Sequence, residues 1–336
     1  MHAGARTVLV AWYGSFEAGG TIGDLLAMRS VVARLAGDGH AVSHASAHDV
    51  EVAGSRRVDL NYARPDEFDG LVFVCGPIIR GHPQTQALFE RFAAKPKLGV
   101  AVSLFPAGHA NYADLFDRVL PREGRAPAFE DVAIAAPPDA AVVARSDPRF
   151  TVGIVLRGPQ SEYEPQRCLA ERTSVIVREA ARELAARRCG RVVEIENHLQ
   201  RSGIAPAAIE SQYAACDLVL TSRFHGAMLA LRHGVPFVAV DQIEGGAKVS
   251  ALIGATGWPH VYRAEAADAA AIVAAAEDAL SGRLDGRMAD ITRDTIGRAR
   301  ATLDAAAGLV RSLAISPRPC APSLRRVAAS PTDPLR

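Results

Sequence analysis

The chain has 336 residues, in which 38 Lys and Arg balance 37 Asp and Glu, so the formal net charge at pH 7 is +1. This balance, without a long basic run interleaved with aromatic residues, argues against nucleic acid as the main partner. Five cysteines lie far apart without a Cys-x-x-Cys pair, which argues against a disulfide framework or a structural zinc site. The length exceeds one common hydrophobic core and predicts two domains.

Apolar residues occur in short runs, and the sequence contains no stretch of 18 apolar residues. The apolar run near the start of the chain is too short for a secretory signal. We therefore expect a cytoplasmic, soluble protein with no integral membrane segment.

A glycine-bearing turn at residues 13–24 follows the first predicted strand, at residues 7–12, and precedes a predicted helix at residues 24–35. In a Gly-x-Gly-x-x-Gly frame, Ala18 occupies the first glycine position, so the dinucleotide-binding fingerprint is incomplete. Two interpretations stay open: the glycines bind a ligand, or they let a tight turn pass close to a neighbouring strand.

Three histidines recur at four-residue intervals after this helix: His40, His44 and His48. Residues 39–46 alternate small and apolar side chains, which is typical of a second strand. Positions four apart on a strand are about 13 Å from each other, so these side chains cannot share a metal ion.

Three further strands are predicted in this half of the chain, at residues 71–74, 99–104 and 130–136. The loops after the first two place three polar side chains at the carboxyl edge of the sheet: Arg80, His82 and His109. Residues 137–148 are rich in Pro and Asp and predict the interdomain linker. Residues 1–145 are therefore predicted to form an N-terminal Rossmann-like domain.

The α/β pattern starts again in the second half, with strands at residues 152–156 and 192–195 and helices at residues 166–188, 206–213, 265–281 and 290–313. Arg157 directly follows the first of these strands. Residues 150–314 are predicted to form a C-terminal Rossmann-like domain. Residues 315–336 contain prolines, arginines and serines without apolar periodicity, which predicts a disordered tail.

Several candidate functional residues lie together after a short buried strand at residues 218–220, where Ser-Arg-Phe-His precedes a helix that begins near Gly226. Because parallel strands need a right-handed crossover, this turn lies at the carboxyl end of its strand, where open α/β sheets bind ligands. The helix start, with Arg223 and His225, favours an anion site, and Lys248 at the next helix start adds a cation. The alternative is structural: Arg223 pairs with a carboxylate, and His225 caps a turn.

Residues 217–230, with their Ser-Arg-Phe-His-Gly-Ala core, and the Gly-Val-Pro at residues 234–236 resemble the signature of the polysaccharide pyruvyl transferase family. The resemblance covers residues 7–310. It includes the Gly-Thr-Ile-Gly-Asp turn at residues 20–24, the Cys-Gly-Pro after the strand at residues 71–74, and two short segments, Arg122-Glu123 and Pro138-Asp139. Thr21 stands where that family usually has Asn, and Glu123 where it usually has Asp.

The resemblance implies an α/β fold of two facing Rossmann-like domains with a glycosyltransferase B-like architecture, whose N-terminal domain takes the acceptor. It implies transfer of a pyruvyl group from phosphoenolpyruvate to two hydroxyls of a sugar, giving a ketal on a cell-surface polysaccharide or glycan precursor. The implied partners are phosphoenolpyruvate and a sugar or glycan acceptor, with peripheral contact where the glycan is lipid-linked.

Residue roles follow from matching this chain to the motifs of the family. Substrate binding is assigned to Arg223, Arg157, Lys248, Gly226 and Gly23. Guanidinium groups suit this task because they bind carboxylate and phosphate in bidentate fashion. His225 is expected to transfer protons in catalysis, and Asp24 is the candidate acid that protonates the methylene carbon of the donor. Near the motif there is no carboxylate cluster or His pair with ligand spacing, so we expect activity without a metal or another cofactor.

Other functions stay open. A nucleotide-sugar glycosyltransferase of the same fold would use the cationic helix start for a diphosphate, and would also need a base-binding pocket. A non-catalytic glycan-binding relative would keep Arg223 and His225 without turnover. A dehydrogenase is disfavoured because the glycine frame is incomplete.

Overall fold

The computed structural model describes residues 4–17, 19–78, 82–104, 113–123, 130–143, 145–160 and 162–313. Its first sheet has six parallel strands in the order β3-β2-β1-β4-β5-β6. These strands are β1 Thr7–Trp12, β2 Ala41–Ala45, β3 Arg56–Val58, β4 Gly70–Val74, β5 Lys97–Val102 and β6 Arg118–Pro121. The central strands β1, β4 and β5 are almost entirely buried, which explains their continuous apolar runs.

The helices that alternate with these strands are α1 Ile22–Gly37 and α2 Pro83–Arg91. A capping box starts α1, because Thr21 Oγ1 accepts from the backbone N–H of Asp24 while the Asp24 carboxylate accepts from the backbone N–H of Thr21. The cap places the start of α1 at the carboxyl end of β1 and fixes the direction in which its first turn faces.

The second sheet has five parallel strands in the order β11-β10-β9-β7-β8. They are β7 Thr151–Val155, β8 Arg191–Glu194, β9 Leu218–Thr221, β10 Phe237–Asp241 and β11 Val261–Arg263. The accompanying helices are α3 Ala170–Arg187, α4 Leu199–Ser202, α5 Pro206–Ala214, α6 Phe224–Arg232, α7 Lys248–Ala255, α8 Ala269–Ala279 and α9 Asp285–Arg311.

In both sheets the strand order reverses beside the first strand of the domain. The chain runs outward from β1 through β2 and β3, and then continues on the other side of β1 with β4. In the second sheet β8 lies on one side of β7, and β9 lies on the other. Ligands of open α/β sheets bind at such reversals, which here lie between β1 and β4 and between β7 and β9.

The strand predicted at residues 130–136 is wrong, because this segment contains a short 3₁₀ helix, Val132–Ala135. Asp131 precedes the helix, and its side chain accepts a hydrogen bond from the backbone N–H of Ala133. This cap ends the extended backbone at Asp131. The apolar residues that suggested a strand are instead buried beside α1, α6 and α9.

The last helix, α9, packs on the first sheet although residues 150–314 were predicted as one domain. It lies against α1, β5 and the 3₁₀ helix Val132–Ala135. Arg34 of α1 forms an ion pair with Asp304 at 2.8 Å, and Arg311 pairs with Asp38. The small buried residues of α9, among them Ala299 and Ala306, allow this close approach.

The two domains are in direct contact at the start of α1. The backbone N–H of Ile22 donates to the carbonyl of Asn197 at 2.8 Å, and that of Leu199 donates to Gly20 at 3.1 Å. Thr21 and His198 form an antiparallel bridge between the same two segments. The carboxyl edges of the two sheets therefore face one another across a closed cleft.

Three sequence predictions lie outside the described residues: those for Arg80, for His109 and for the tail at residues 315–336. In the described part of the chain, no helix combines the length and the apolar character that crossing a membrane requires.

Candidate active site

The turn after β9 is fixed by Thr221. Its hydroxyl donates to the carbonyl of Val155 at 2.9 Å and accepts from the backbone N–H of Arg223 at 2.9 Å. A Cβ on Gly226 would lie 2.1 Å from Thr221 Oγ1, so glycine is needed for α6 to begin this close to β9. Gly226, assigned to substrate binding from the sequence, is buried and has its Cα packed against Thr221.

Arg223 lies at the start of α6, where no side chain caps the helix. Its Nε donates to the carbonyl of Leu156 at 2.8 Å, and Nη2 lies 3.7 Å from Glu196 Oε1. Burial and the neighbouring Arg157 lower the pKa of Arg223. A mostly buried guanidinium with one long ion pair has donors left for an anion in the cleft.

Arg157 follows β7, the strand next to β9, so it shares the edge that carries Arg223. Its backbone N–H donates to Ser222 Oγ at 2.8 Å, which ties the two loops together. Its side chain is 38% exposed and lies 3.9 Å from Glu162. The structure therefore brings both predicted arginines to one place, with Arg157 the more accessible of the two.

His225 crosses the cleft and meets Asp131 of the first domain. Its Nε2 lies 3.1 Å from Asp131 Oδ2, and the same oxygen accepts from Arg122 Nη1 at 2.7 Å. The Arg122 guanidinium lies over the ring of Phe224, with its carbon 5.0 Å from the ring centroid. Burial disfavours the charge of Asp131, but His225 and Arg122 hold its pKa well below its usual range.

Gly23 provides the surface on which His225 rests. A Cβ at this position would lie 2.2 Å from His225 Cγ and 2.4 Å from Nδ1. The predicted substrate-binding glycine therefore lies directly beside the predicted catalytic residue. Its lack of a side chain lets the imidazole sit on the first turn of α1.

Asp24 and Cys75 complete the buried cluster. Asp24 Oδ2 accepts from the backbone N–H and the hydroxyl of Thr21, at 2.8 and 2.7 Å. Burial opposes its ionisation, but the nearby His225 and the Thr21 hydrogen bonds lower the pKa of Asp24. Because an ionised carboxylate has no proton to give, Asp24 is a poor match for the acid role expected from the sequence.

Cys75 has a left-handed backbone, with φ of 68°, at the end of β4. This conformation is strained for a residue other than glycine and aims the thiol into the cluster, 3.6 Å from His225 Nε2. Burial and the carboxylates of Asp131 and Asp24 raise the pKa of Cys75 well above its usual value. Cys75 is therefore a neutral thiol at physiological pH.

Asp24, Cys75 and His225 offer one oxygen, one sulfur and one nitrogen within 4.8 Å of one another, a set of atoms that zinc accepts. However, Arg122 Nη1 lies 3.4 Å from the sulfur, and His225 Nε2 is already hydrogen-bonded to Asp131. Because a guanidinium lies beside the sulfur and the imidazole Nε2 already has a hydrogen-bond partner, these contacts favour a hydrogen-bonded network over a metal site. Activity without a metal stays a prediction.

Lys248 begins α7, the helix that follows β10 in the second domain. The Asp241 carboxylate accepts from the backbone N–H groups of Ala247 and Ser250, both at 2.8 Å, and so holds this helix start in place. Burial and Arg122 lower the pKa of Lys248 to about 8, against the opposing effect of nearby acidic side chains. Its ammonium group therefore lies near the buried cluster and titrates near physiological pH.

Sequence reasoning missed the contributions of Asp131, Cys75 and Arg122. The last two lie in segments that carry the family resemblance, but no role was assigned to them. Asp131 followed by an apolar run matches the pattern of a helix N-cap, which was the available signal. His82, a candidate from the sequence, caps α2 instead: its Nδ1 accepts from the backbone N–H of Thr85.

The comparison with protein families gives a match over the segment that carries Arg223 and His225. Residues 171–242 match the model of the polysaccharide pyruvyl transferase family. The resemblance predicted from the sequence is thereby confirmed for this segment, which includes the Ser-Arg-Phe-His-Gly-Ala motif and ends before Lys248. No curated protein sequence matches the chain significantly.

Solved structures are similar to the chain in fold. A Listeria monocytogenes protein described as a UDP-N-acetylglucosamine 2-epimerase has a TM-score of 0.58 at 14% identity, covering 92% of this chain and 98% of its own. The UDP-GlcNAc 2-epimerase of Neisseria meningitidis has a TM-score of 0.53 at 10% identity, and the match covers 91% of this chain and 100% of the epimerase. The glycosyltransferase SnogD of Streptomyces nogalater has a TM-score of 0.52 at 14% identity, and the match covers 92% of this chain and 99% of SnogD. These similarities confirm the predicted glycosyltransferase B-like architecture of two Rossmann-like domains.

Proposed function

We propose that the protein transfers a pyruvyl group from phosphoenolpyruvate to a sugar of a cell-surface polysaccharide or glycan precursor, and forms a pyruvate ketal. The observation that carries the proposal is that Arg157, Arg223 and His225 lie at one sheet edge inside a closed cleft. Arg223 and His225 belong to the segment that matches the pyruvyl transferase family. The family match supports a transferase that acts on polysaccharides. The donor and the ketal are our proposal.

The donor carries a carboxylate and a phosphate on a three-carbon enol, and the site offers cations in matching number. Arg157 and Arg223 lie on adjacent strand ends and can each hold two oxygens of an anion. The uncapped N-terminus of α6 adds backbone N–H groups and the positive end of the helix dipole. Lys248 supplies a further positive charge below its pKa of about 8.

Ketal formation needs two sugar hydroxyls to lose protons; the methylene carbon gains one of them, and the phosphate leaves with the other as the C–O bond to the enol carbon breaks and two new C–O bonds form. His225 is placed to take a hydroxyl proton, because its ring is held between Gly23 and Asp131. Lys248 is better matched than Asp24 to donate a proton to the methylene carbon, because its pKa of about 8 lies near physiological pH. Asp24 then stabilises the positive charge that develops on His225.

The acceptor enters from the first domain, which faces the anion site across the cleft. We place the enzyme in the cytoplasm, where phosphoenolpyruvate is made, with peripheral contact to the membrane when the glycan is lipid-linked. The reaction requires no cofactor in this proposal.

A nucleotide-sugar glycosyltransferase is the second candidate, because structures of similar fold act on UDP-sugars: the Neisseria meningitidis epimerase was solved with UDP-GlcNAc bound. Calorimetric titration separates the two. We expect phosphoenolpyruvate to bind the wild-type protein, UDP and UDP-GlcNAc to fail to compete with it, and Arg223→Ala to lose most of the affinity. Tight binding of UDP-GlcNAc together with no binding of phosphoenolpyruvate would replace our proposal with the second candidate.

A further inference from the structure

Asp131 is a fully buried carboxylate with four hydrogen-bond contacts, one of them with the Cys75 thiol, whose Sγ lies 3.7 Å from Oδ2. Its Oδ1 accepts from the backbone N–H of Ala133 at 2.9 Å, and its Oδ2 faces both Arg122 Nη1 at 2.7 Å and His225 Nε2 at 3.1 Å. The backbone N–H and the guanidinium group can act only as donors. A proton on either carboxylate oxygen would therefore point at another donor, so Asp131 is an acceptor on both oxygens.

An acceptor at this position decides which nitrogen of His225 carries the proton. Nε2 must donate to Asp131, and in the neutral imidazole the lone pair then lies on Nδ1. Among the described residues Nδ1 has no hydrogen-bond partner, whereas Nε2 faces Asp131 and Cys75. The His225 side chain is 12% exposed, so Nδ1 is the ring nitrogen left to face the cleft.

We propose that Asp131 is the positioning residue of the active site: it fixes His225 in the tautomer that carries its proton on Nε2, and it makes Nδ1 the nitrogen that exchanges protons with substrate. This inference rests on the acid–base role of His225 proposed above and extends it to a residue of the other domain.

The geometry also ties the tautomer to domain closure. Asp131 belongs to the first domain, whereas His225 belongs to the second, and 94 positions separate them in the chain. On its other side the ring rests on Gly23 of the first domain. The imidazole is therefore clamped by two segments of the first domain, and the reactive tautomer forms when the cleft is closed.

The first test is Asp131→Asn, with Glu130→Gln as the matched control. Glu130 is the neighbouring carboxylate, and its side chain accepts from Arg298 of α9 at 3.1 Å and from the backbone N–H of Asp131 at 3.0 Å; among the described residues no hydrogen bond or ion pair joins it to His225. Glutamine keeps the carbonyl oxygen that the backbone N–H needs. We expect Asp131→Asn to lower kcat about 10²-fold with the KM for phosphoenolpyruvate changed less than about threefold, because a neutral amide no longer fixes the tautomer. Glu130→Gln should keep wild-type kcat. Equal losses in both variants would contradict a specific role for Asp131.

A double-mutant cycle with His225→Gln distinguishes positioning from a structural effect. If Asp131 acts through His225, adding Asp131→Asn to His225→Gln should lower kcat no further than about twofold. A further loss as large as that in the wild-type background would show that Asp131 acts by supporting the fold, and would overturn the proposal.

The decisive readout is made on wild-type protein and needs no activity. In wild-type protein labelled with ¹⁵N-histidine, NMR at a pH where the ring is neutral should show the proton of His225 on Nε2, with the signal assigned by its absence in His225→Gln. A proton on Nδ1 would overturn the inference. Because no substrate is present, a correct tautomer together with no turnover of phosphoenolpyruvate would refute the proposed reaction and leave the positioning role of Asp131 intact.

Discussion

Gly23→Ala adds one methyl group beside His225 and tests whether the imidazole must be clamped between Gly23 and Asp131 for activity. The added Cβ would lie 2.2 Å from His225 Cγ, whereas ordinary contact begins at 3.4 Å, so the ring or the start of α1 must move by 3.4 − 2.2 = 1.2 Å. Such a shift changes the length and the angle of the hydrogen bond between the imidazole and Asp131, which is 3.1 Å in the structure. Because a misplacement of about 1 Å costs about 10²-fold in rate, we expect kcat to fall by about two orders of magnitude.

Gly37→Ala, at the other end of the same helix, is the matched control. A Cβ there meets nothing within 4 Å. Alanine should leave kcat unchanged and raise stability by about 0.5–1 kcal/mol, because it favours the helical backbone. Steady-state phosphate release and thermal melts of both variants supply the comparison.

The combination Gly23→Ala with His225→Ala identifies the cause of the loss. Removing the imidazole frees the space that the methyl group needs, so the double variant should be no less active and no less stable than His225→Ala alone. Wild-type kcat in Gly23→Ala, within about threefold, would refute the clamp, because it would show that His225 can move without consequence.

Three further predictions concern charge and metal. Arg223→Ala should raise the KM for phosphoenolpyruvate about 30- to 1,000-fold, which corresponds to about 2–4 kcal/mol for a bidentate contact in a partly desolvated cleft, and Arg223→Lys should recover a part of it; an unchanged KM would contradict a role in donor binding. Lys248 loses its positive charge as pH rises through its pKa of about 8, so the calorimetric Kd for the donor should be flat below about pH 7 and rise above pH 8. Lys248→Arg should remove this rise in Kd and also lower kcat, because arginine keeps its proton; a rise in Kd that persists in this variant belongs to another group. Activity should survive EDTA, because cations of the protein hold the donor; a loss that zinc or magnesium restores would instead assign a metal to Asp24, Cys75 and His225.

Local pattern was sufficient to predict the strand, turn and helix that carry Arg223 and His225. The apolar run of β9 is continuous because the strand is buried on both faces, and Gly234 with Pro236 marks the end of α6. The same reasoning located β1, β4, β5 and β7 within one or two residues, because each is a central strand with a long apolar run.

Elements with little apolar content were not predicted. The edge strands β3 and β6 begin with Arg56 and Arg118 and are short, so their sequences resemble loops. The return of α9 to the first sheet depends on packing with α1, which no local pattern encodes.

The pairing of His225 with Asp131 shows the same limit at the active site. The two residues lie 94 positions apart and meet because two domains close on one another. The catalytic role of His225 was predicted from its neighbours in the chain. The proposed positioning partner depends on the tertiary structure, and so do the contacts with His225 and Thr21 that lower the pKa of Asp24 in spite of its burial.

Direct detection of the product tests the central claim. The protein is incubated with phosphoenolpyruvate and a panel of lipid-linked and nitrophenyl sugars, and mass spectrometry follows the sugar while phosphate is measured in parallel. We predict a sugar that gains one pyruvyl group for each phosphate released, at a rate about 10²- to 10⁴-fold lower in His225→Gln. Release of phosphate without a ketal, an equal rate in His225→Gln, or consumption of a UDP-sugar in place of phosphoenolpyruvate would contradict the account.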